Sequence, residues 1–182
     1  FEGSILPMDK ALEVESKYFT SLLLDPTAGN MIRTLFVNKL AAEKGAARPK
    51  DEPKQKLEKI GMLGAGLMGA GITYVSAKAG LEVVLLDMSQ EGAERGKAYS
   101  ERLVQKDLGR KRMSEEAGAE LLGRIHPTTD FEDLKDCDFI IEAVFEDSQI
   151  KADVTKKAEA VVGADTIFGS NTSTLPITGL QK

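Results

Sequence analysis

The spacing of apolar residues changes character twice along the chain. Between residues 9 and 44 it is helical. Leu12, Phe19, Leu22 and Leu23 fall on one side of a first helix, because residues three and four apart share a face. The turn Asp25-Pro26-Thr27 interrupts it. Ala28, Ile32, Leu35, Phe36 and Leu40 then mark a second helix that ends near Gly45. Neither stripe finds an evident partner of its own. Both are expected to pack on each other, on the rest of the chain or on a domain outside it. From Ala46 to Glu58 the residues turn charged, with Pro49 and Pro53 among them, which predicts an exposed linker.

Beyond Lys59, short unbroken apolar runs replace the stripes. Ile60–Leu63, Val83–Leu86, 139–144 and 166–170 predict strands, the unbroken run Val83–Leu86 suiting a parallel sheet covered on both faces, and a weaker one is expected around Ile125. Helical spacing fills the intervals. Met68, Ile72, Val75 and Ala79 precede Gly80 as a C-terminal stop, and Ser89 caps a long polar helix reaching about Arg112. Ser114 caps another helix before Gly123, and one more runs to about Val162. Strands alternating with helices predict an α/β fold, a Rossmann doubly wound parallel sheet. The expected division is therefore a helical linker segment at 1–58 and a sheet domain at 59–182.

Composition narrows the partners. With 24 basic and 29 acidic residues the net charge is −5, and the basic cluster at Arg110–Arg112 is short, so no nucleic acid partner is expected. A single cysteine, Cys137, excludes an intrachain disulfide and a cysteine-based metal site; no metal is expected. No apolar run approaches the roughly 20 residues of a membrane span. The chain starts at Phe1 without an initiator methionine and stops at Lys182, and both ends are expected to be cut.

The chemistry begins at Gly64-Ala65-Gly66-Leu67-Met68-Gly69. The G-x-G-x-x-G pattern alone is weak. Here it follows a predicted strand, opens a predicted helix and precedes a second strand that ends in Asp87. Gly64 allows a tight turn, Gly66 lets backbone approach a pyrophosphate at the positive helix end, and Gly69 brings helix and sheet together. Asp87 can accept hydrogen bonds from both adenosine ribose hydroxyls and would repel a 2′-phosphate, so NAD is favoured over NADP. FAD shares the fingerprint.

Two later strand ends are polar. Glu142 lies inside the run Ile140-Ile141-Glu142-Ala143-Val144, and Ser170-Asn171-Thr172-Ser173 follows the fourth strand. A carboxylate among aliphatic residues must find a partner or water. Glu142 could serve a ligand or bond to neighbouring backbone, and the Asn/Thr/Ser run could line a site or cap the helix from Leu175.

With Gly64–Ile72, Glu142-Ala143-Val144-Phe145-Glu146 and 170–177 in the same order, residues 59–182 resemble the NAD-binding domain of the 3-hydroxyacyl-CoA dehydrogenases. The likeness is greatest to the multifunctional α-subunits of fatty-acid β-oxidation. These fuse an enoyl-CoA hydratase half to the dehydrogenase, and Ala11-Leu12-Glu13-Val14-Glu15 resembles the segment between the halves.

The resemblance implies that Gly64, Gly66, Met68 and Gly69 hold the pyrophosphate and Asp87 the ribose. It places Glu142, Ala143 and Val144 along the nicotinamide half and Asn171 near nicotinamide and substrate. Ser173, as catalytic residue, would hydrogen-bond the C3 oxygen of an acyl-CoA. Many members carry a lysine where this chain has Gln149. The family's His–Glu base falls beyond Ser173, so the chain alone is expected to bind NAD without turning over, and His126 is read as a surface loop residue. A thiolase subunit and further copies of the parent protein are the implied partners. The implied location is the cytoplasm of a bacterium or the mitochondrial matrix of a eukaryote. The rivals are a short-chain β-hydroxyacid dehydrogenase and a nucleotide-binding scaffold without chemistry.

Overall fold

The computed structural model describes residues 1–49 and 56–180. The chain divides into two compact units, Phe1–Lys54 and Gln55–Lys182. The linker expected at 46–58 lies partly outside the described residues.

The first unit is helical. After a 3-10 turn at Glu2–Ile5, α1 spans Met8–Leu24 and α2 spans Pro26–Ile32. Asp25 separates them and accepts the Thr27 N–H as the cap of α2, with Pro26 at its first position, where a missing N–H loses nothing. Six residues of wider π-type turn, Arg33–Asn38, lead into α3 (Lys39–Glu43), and Gly45 follows at φ +73°. No residue of these helices is buried. Phe19, Leu22, Leu23, Ile32, Leu35 and Phe36, the two predicted stripes, are each 50–63% exposed.

The second unit carries five parallel strands in the order β3-β2-β1-β4-β5: β1 Lys59–Leu63, β2 Glu82–Leu86, β3 Ile125–Thr128, β4 Phe139–Glu142 and β5 Ile167–Ser170. Helix α4 (Leu67–Lys78) joins β1 to β2, and α5 (Gln90–Gly109) and α6 (Glu115–Gly123) join β2 to β3. A 3-10 turn at Phe131–Leu134 precedes β4, α7 (Ser148–Glu159) joins β4 to β5, and α8 (Ile177–Leu180) follows.

Alternate residues of the central strands feed two cores. Ile60, Met62, Val83 and Leu85 pack with Tyr74, Ala77, Val104 and Leu121 on one face. Leu63, Val84 and Leu86 pack with Leu134, Ile140 and Ala158 on the other. Double coverage is why these strands read as continuous apolar runs.

The boundaries depart from expectation at several places, α7 for instance ending at Glu159 rather than near Val162, and three departures have a local reason. Helix α5 ends at Gly109 rather than Arg112, because Lys111 takes φ +53°. β4 stops at Glu142 rather than Val144, because the Glu142 side chain captures the Val144 N–H at 2.7 Å. His126 lies in a strand, not a loop; it is exposed on β3 and pairs with Glu82 at 2.7 Å. That strand was faint in the sequence because it holds Pro127, which is tolerated at the sheet edge where β3 sits. Asp138 anchors the start of the sheet. Its carboxylate accepts the Glu58 and Lys59 N–H groups at 2.7 and 2.9 Å, and these bonds hold it below the usual carboxylate range.

Candidate functional site

The strand order reverses at β1, which has β2 on one side and β4 on the other. Such a switch point opens a crevice beyond the carboxyl ends of the strands, and the sequence motifs converge there. The chain leaves β1 through Gly64 at φ +98°, where a Cβ would stand 2.8 Å from the Ala143 carbonyl oxygen. Only glycine lets the ends of β1 and β4 come this close. A Cβ on Gly69, in the first turn of α4, would collide with the Gly64 carbonyl oxygen. Gly66 differs: a Cβ there meets nothing within 4 Å, so its surface is open for a ligand.

The N-terminus of α4 is also chemically open. Helices α5, α6 and α7 are capped by Ser89, Ser114 and Asp147, whose side chains accept N–H groups of the first turn. Gly66 gives α4 no side-chain cap, so its first N–H groups are free to meet an anion, favoured by the helix dipole. Asp87 stands at the end of β2, and its Oδ2 accepts the Ala65 N–H at 2.9 Å. Loop and carboxylate are thereby locked together. Two glycines that the sequence reading passed over make this possible. A Cβ on Gly92 would lie 2.5 Å from Asp87 Oδ1, and one on Gly96 would lie 2.8 Å from the Ala65 Cβ. Their four-residue spacing on a capped helix was the available signal. Met68 is exposed beside the loop.

On the other side of the crevice the main finding is a buried carboxylate. Glu142 is 2% exposed. Its Oε1 accepts the Val144 N–H at 2.7 Å and Lys151 Nζ at 2.8 Å; its Oε2 accepts the Ser170 hydroxyl at 2.6 Å and Lys151 Nζ at 3.0 Å. For its side chain, this corrects the expectation that Glu142 serves a ligand along the nicotinamide half. An enclosed carboxylate with four bonds from its own chain has no lone pair left for a ligand.

Lys151, equally buried at 1%, also reaches Glu146 Oε2 at 3.1 Å. Burial alone would pull the Lys151 ammonium down, but its bonds to Glu142 and Glu146 outweigh that and raise it. Glu146 in turn accepts the Thr172 hydroxyl, the Ser173 N–H at 3.3 Å and the Thr174 hydroxyl at 3.4 Å. The Thr172 hydroxyl first and Lys151 second hold Glu146 down to about 2.

The Asn171 N–H donates to the Glu142 carbonyl at 2.7 Å, and both Asn171 and Ser173 are exposed at this edge. Ala143 and Val144 are half-buried beside Gly64. Lys151 was missed in the sequence. Its signal was a lysine at position i of an i, i+3, i+7 stripe completed by Val154 and Ala158 on α7.

Residues 59–182 match the family model described as 3-hydroxyacyl-CoA dehydrogenase, NAD binding domain. The chain belongs to this family. NAD is the cofactor of this family's domain, and the open α4 terminus, the bare Gly66 and the adjoining Asp87 fit that cofactor. The fatty acid oxidation complex subunit alpha of Shewanella halifaxensis is 36% identical over 178 residues, which is 97% of this chain and 25% of that protein. The chain spans about a quarter of the length of such curated relatives.

Among solved structures, (S)-3-hydroxybutyryl-CoA dehydrogenase from Ralstonia eutropha superposes with a TM-score of 0.66 at 34% identity, covering 69% of this chain and 44% of that one. The 3-hydroxybutyryl-CoA dehydrogenase of Escherichia coli gives 0.66 at 29% identity, covering 69% and 27%. Among the described residues, no helix is long and apolar enough to cross a membrane, and no cluster of His, Cys, Asp and Glu could hold a metal.

Proposed function

We propose that this chain is the cofactor-holding portion of an L-3-hydroxyacyl-CoA dehydrogenase within a larger β-oxidation protein. The reading rests on one observation above all. An uncapped helix N-terminus, a glycine loop and the ribose-binding carboxylate meet at the switch point, and Asp87 is bonded directly to the loop through the Ala65 N–H. Gly64, Gly66, Met68 and Gly69 border the pyrophosphate, Asp87 receives the adenosine ribose, and Ala143 and Val144 line the nicotinamide half.

Bound at this loop, NAD would supply the hydride acceptor for C3 of the substrate. Asn171 stands beside nicotinamide and substrate, and Ser173 donates its hydroxyl hydrogen to the C3 oxygen, orienting it. Ser173 is not the base, since an unactivated hydroxyl is a poor proton acceptor. His126 does not fill that role either, because it lies on the edge strand, paired with Glu82 at the amino end of β2. Proton removal is assigned, as the family resemblance implies, to a His–Glu pair. The relatives' name, fatty acid oxidation complex subunit alpha, supports a larger assembly, and the proposal extends to an enoyl-CoA hydratase half before this unit, a thiolase subunit and further copies as partners, and a cytoplasmic setting.

Calorimetry tests the cofactor assignment. NAD should bind more tightly than NADP. Asp87→Ala should weaken NAD by about 1.5–3 kcal/mol, the worth of hydrogen bonds to a charged group, or about ten- to a hundred-fold. Equal affinity for the two nucleotides, or an unchanged Asp87→Ala variant, would overturn it.

A further inference from the structure

The buried carboxylate of Glu142 has no place in the reading above, yet its bonds to Lys151 and Ser170 lead toward the turn that carries Asn171 and Ser173. We propose that Glu142 is a positioning residue: through Lys151 and Glu146 it fixes where that turn stands relative to the cofactor crevice. The proposal rests on the reading that Asn171 and Ser173 face the nicotinamide and the substrate.

The geometry is a clamp with two jaws. Glu142 holds the start of the turn, accepting the Ser170 hydroxyl at its carboxylate and the Asn171 N–H at its carbonyl. Glu146 holds the rest through Thr172, the Ser173 N–H and Thr174. Lys151 joins the jaws. An ammonium has three N–H donors, and three carboxylate oxygens surround this one at 2.8, 3.0 and 3.1 Å.

Asn171, Ser173 and Thr174 are exposed, so apolar burial contributes little to ordering them. Their hydrogen bonds run chiefly to this clamp, apart from the local Leu175 N–H to Thr172 bond. A buried ion pair is a poor source of net stability compared with apolar packing, but it fixes geometry, because each charge tolerates few arrangements of its partners. Removing charge from Glu142 leaves Lys151 to follow Glu146 alone, and the turn loses its fixed distance from β4.

The test compares NAD with ADP-ribose, which lacks nicotinamide, on the 182-residue chain. Binding of ADP-ribose reports the glycine loop and Asp87; the preference for NAD over ADP-ribose reports the nicotinamide side. Glu142→Gln should leave ADP-ribose affinity unchanged and lower that preference about fivefold, the worth of one hydrogen bond. Exchange of the Ser173 amide hydrogen should quicken. Because Glu142→Gln leaves a buried lysine with one carboxylate in place of two, a second variant, Glu142→Leu with Lys151→Met, removes both charges; it should recover thermal stability without recovering the preference.

Recovery of both together, equal loss of both nucleotides in Glu142→Gln, or no change in either variant would reduce Glu142 to a structural strut and overturn the proposal. A native chain without preference for NAD would overturn it as well. A native chain that bound neither nucleotide would instead overturn the cofactor reading, and unchanged Ser173 exchange in Glu142→Gln would still refute the clamp.

Discussion

Phe19 and Phe36 of the helical unit are as apolar as Val83 and Leu85 of the sheet unit, yet the first pair is more than half exposed and the second is fully buried. The difference lies in what surrounds each element. A strand in a parallel sheet has neighbours on both sides and helices on both faces, so alternate side chains enter two cores. A helix has one apolar stripe and must find a surface for it. Periodicity therefore specifies the kind of element, whereas burial depends on a facing partner. Among the described residues the helical unit supplies no such core.

The sharpest way to break this comparison is to separate the units. Residues 1–58 alone should melt without a cooperative transition, since helices of this length are marginal in water without packing. Residues 59–182 should unfold in one step in urea. A cooperative, monomeric fold for 1–58 would show that the stripes satisfy each other.

Single truncations sharpen the same contrast. In the whole chain, Leu85→Ala should cost about 2–5 kcal/mol by opening a cavity between β2 and its helices. Phe36→Ala should stay within about 0.5 kcal/mol, as exposed substitutions do. Urea midpoints read both, and comparable losses would mean that Phe36 is buried in solution.

The smallest effect is local to the sheet unit. The carboxyl of Glu146 is held down to about 2 from an ordinary 4.5. Its hold on the turn is complete above 4.5 and fades as pH falls from there through about 2. Lys151 behaves oppositely: its raised ammonium supports the clamp below 10.5, and that support is lost as pH climbs through the raised value. Following the Glu146 carboxyl carbon by NMR gives the acid limb, and a midpoint near 4.5 would show that the clamp does not form.

Much of the nucleotide side of the site was legible because its demands are local. A glycine loop between a strand and a helix, with an acid after the next strand, needs only chain order to be recognised, and Gly64, Gly66, Gly69 and Asp87 stand where that order implies. The side formed by β4, α7 and β5 was less legible. Glu142 drew attention as a charge in an apolar strand, but its partner Lys151 is nine residues away on a helix, and Ser170 is twenty-eight away on another strand. No local pattern links those three.

The sequence by itself determined the order of strands and helices, the parallel sheet and the place of the phosphate loop, because backbone preference and apolar period act over a few residues. Only the tertiary structure decided that Glu142 turns inward to Lys151 instead of outward to a ligand. It also decided that Gly92 and Gly96 admit α5 against Asp87, and that the stripes at Phe19 and Phe36 remain uncovered within their own unit. Each of these depends on which surfaces meet in space. Pairing of charges and burial of apolar groups are set by distance, and distance between residues far apart in the chain exists only once the sheet has formed.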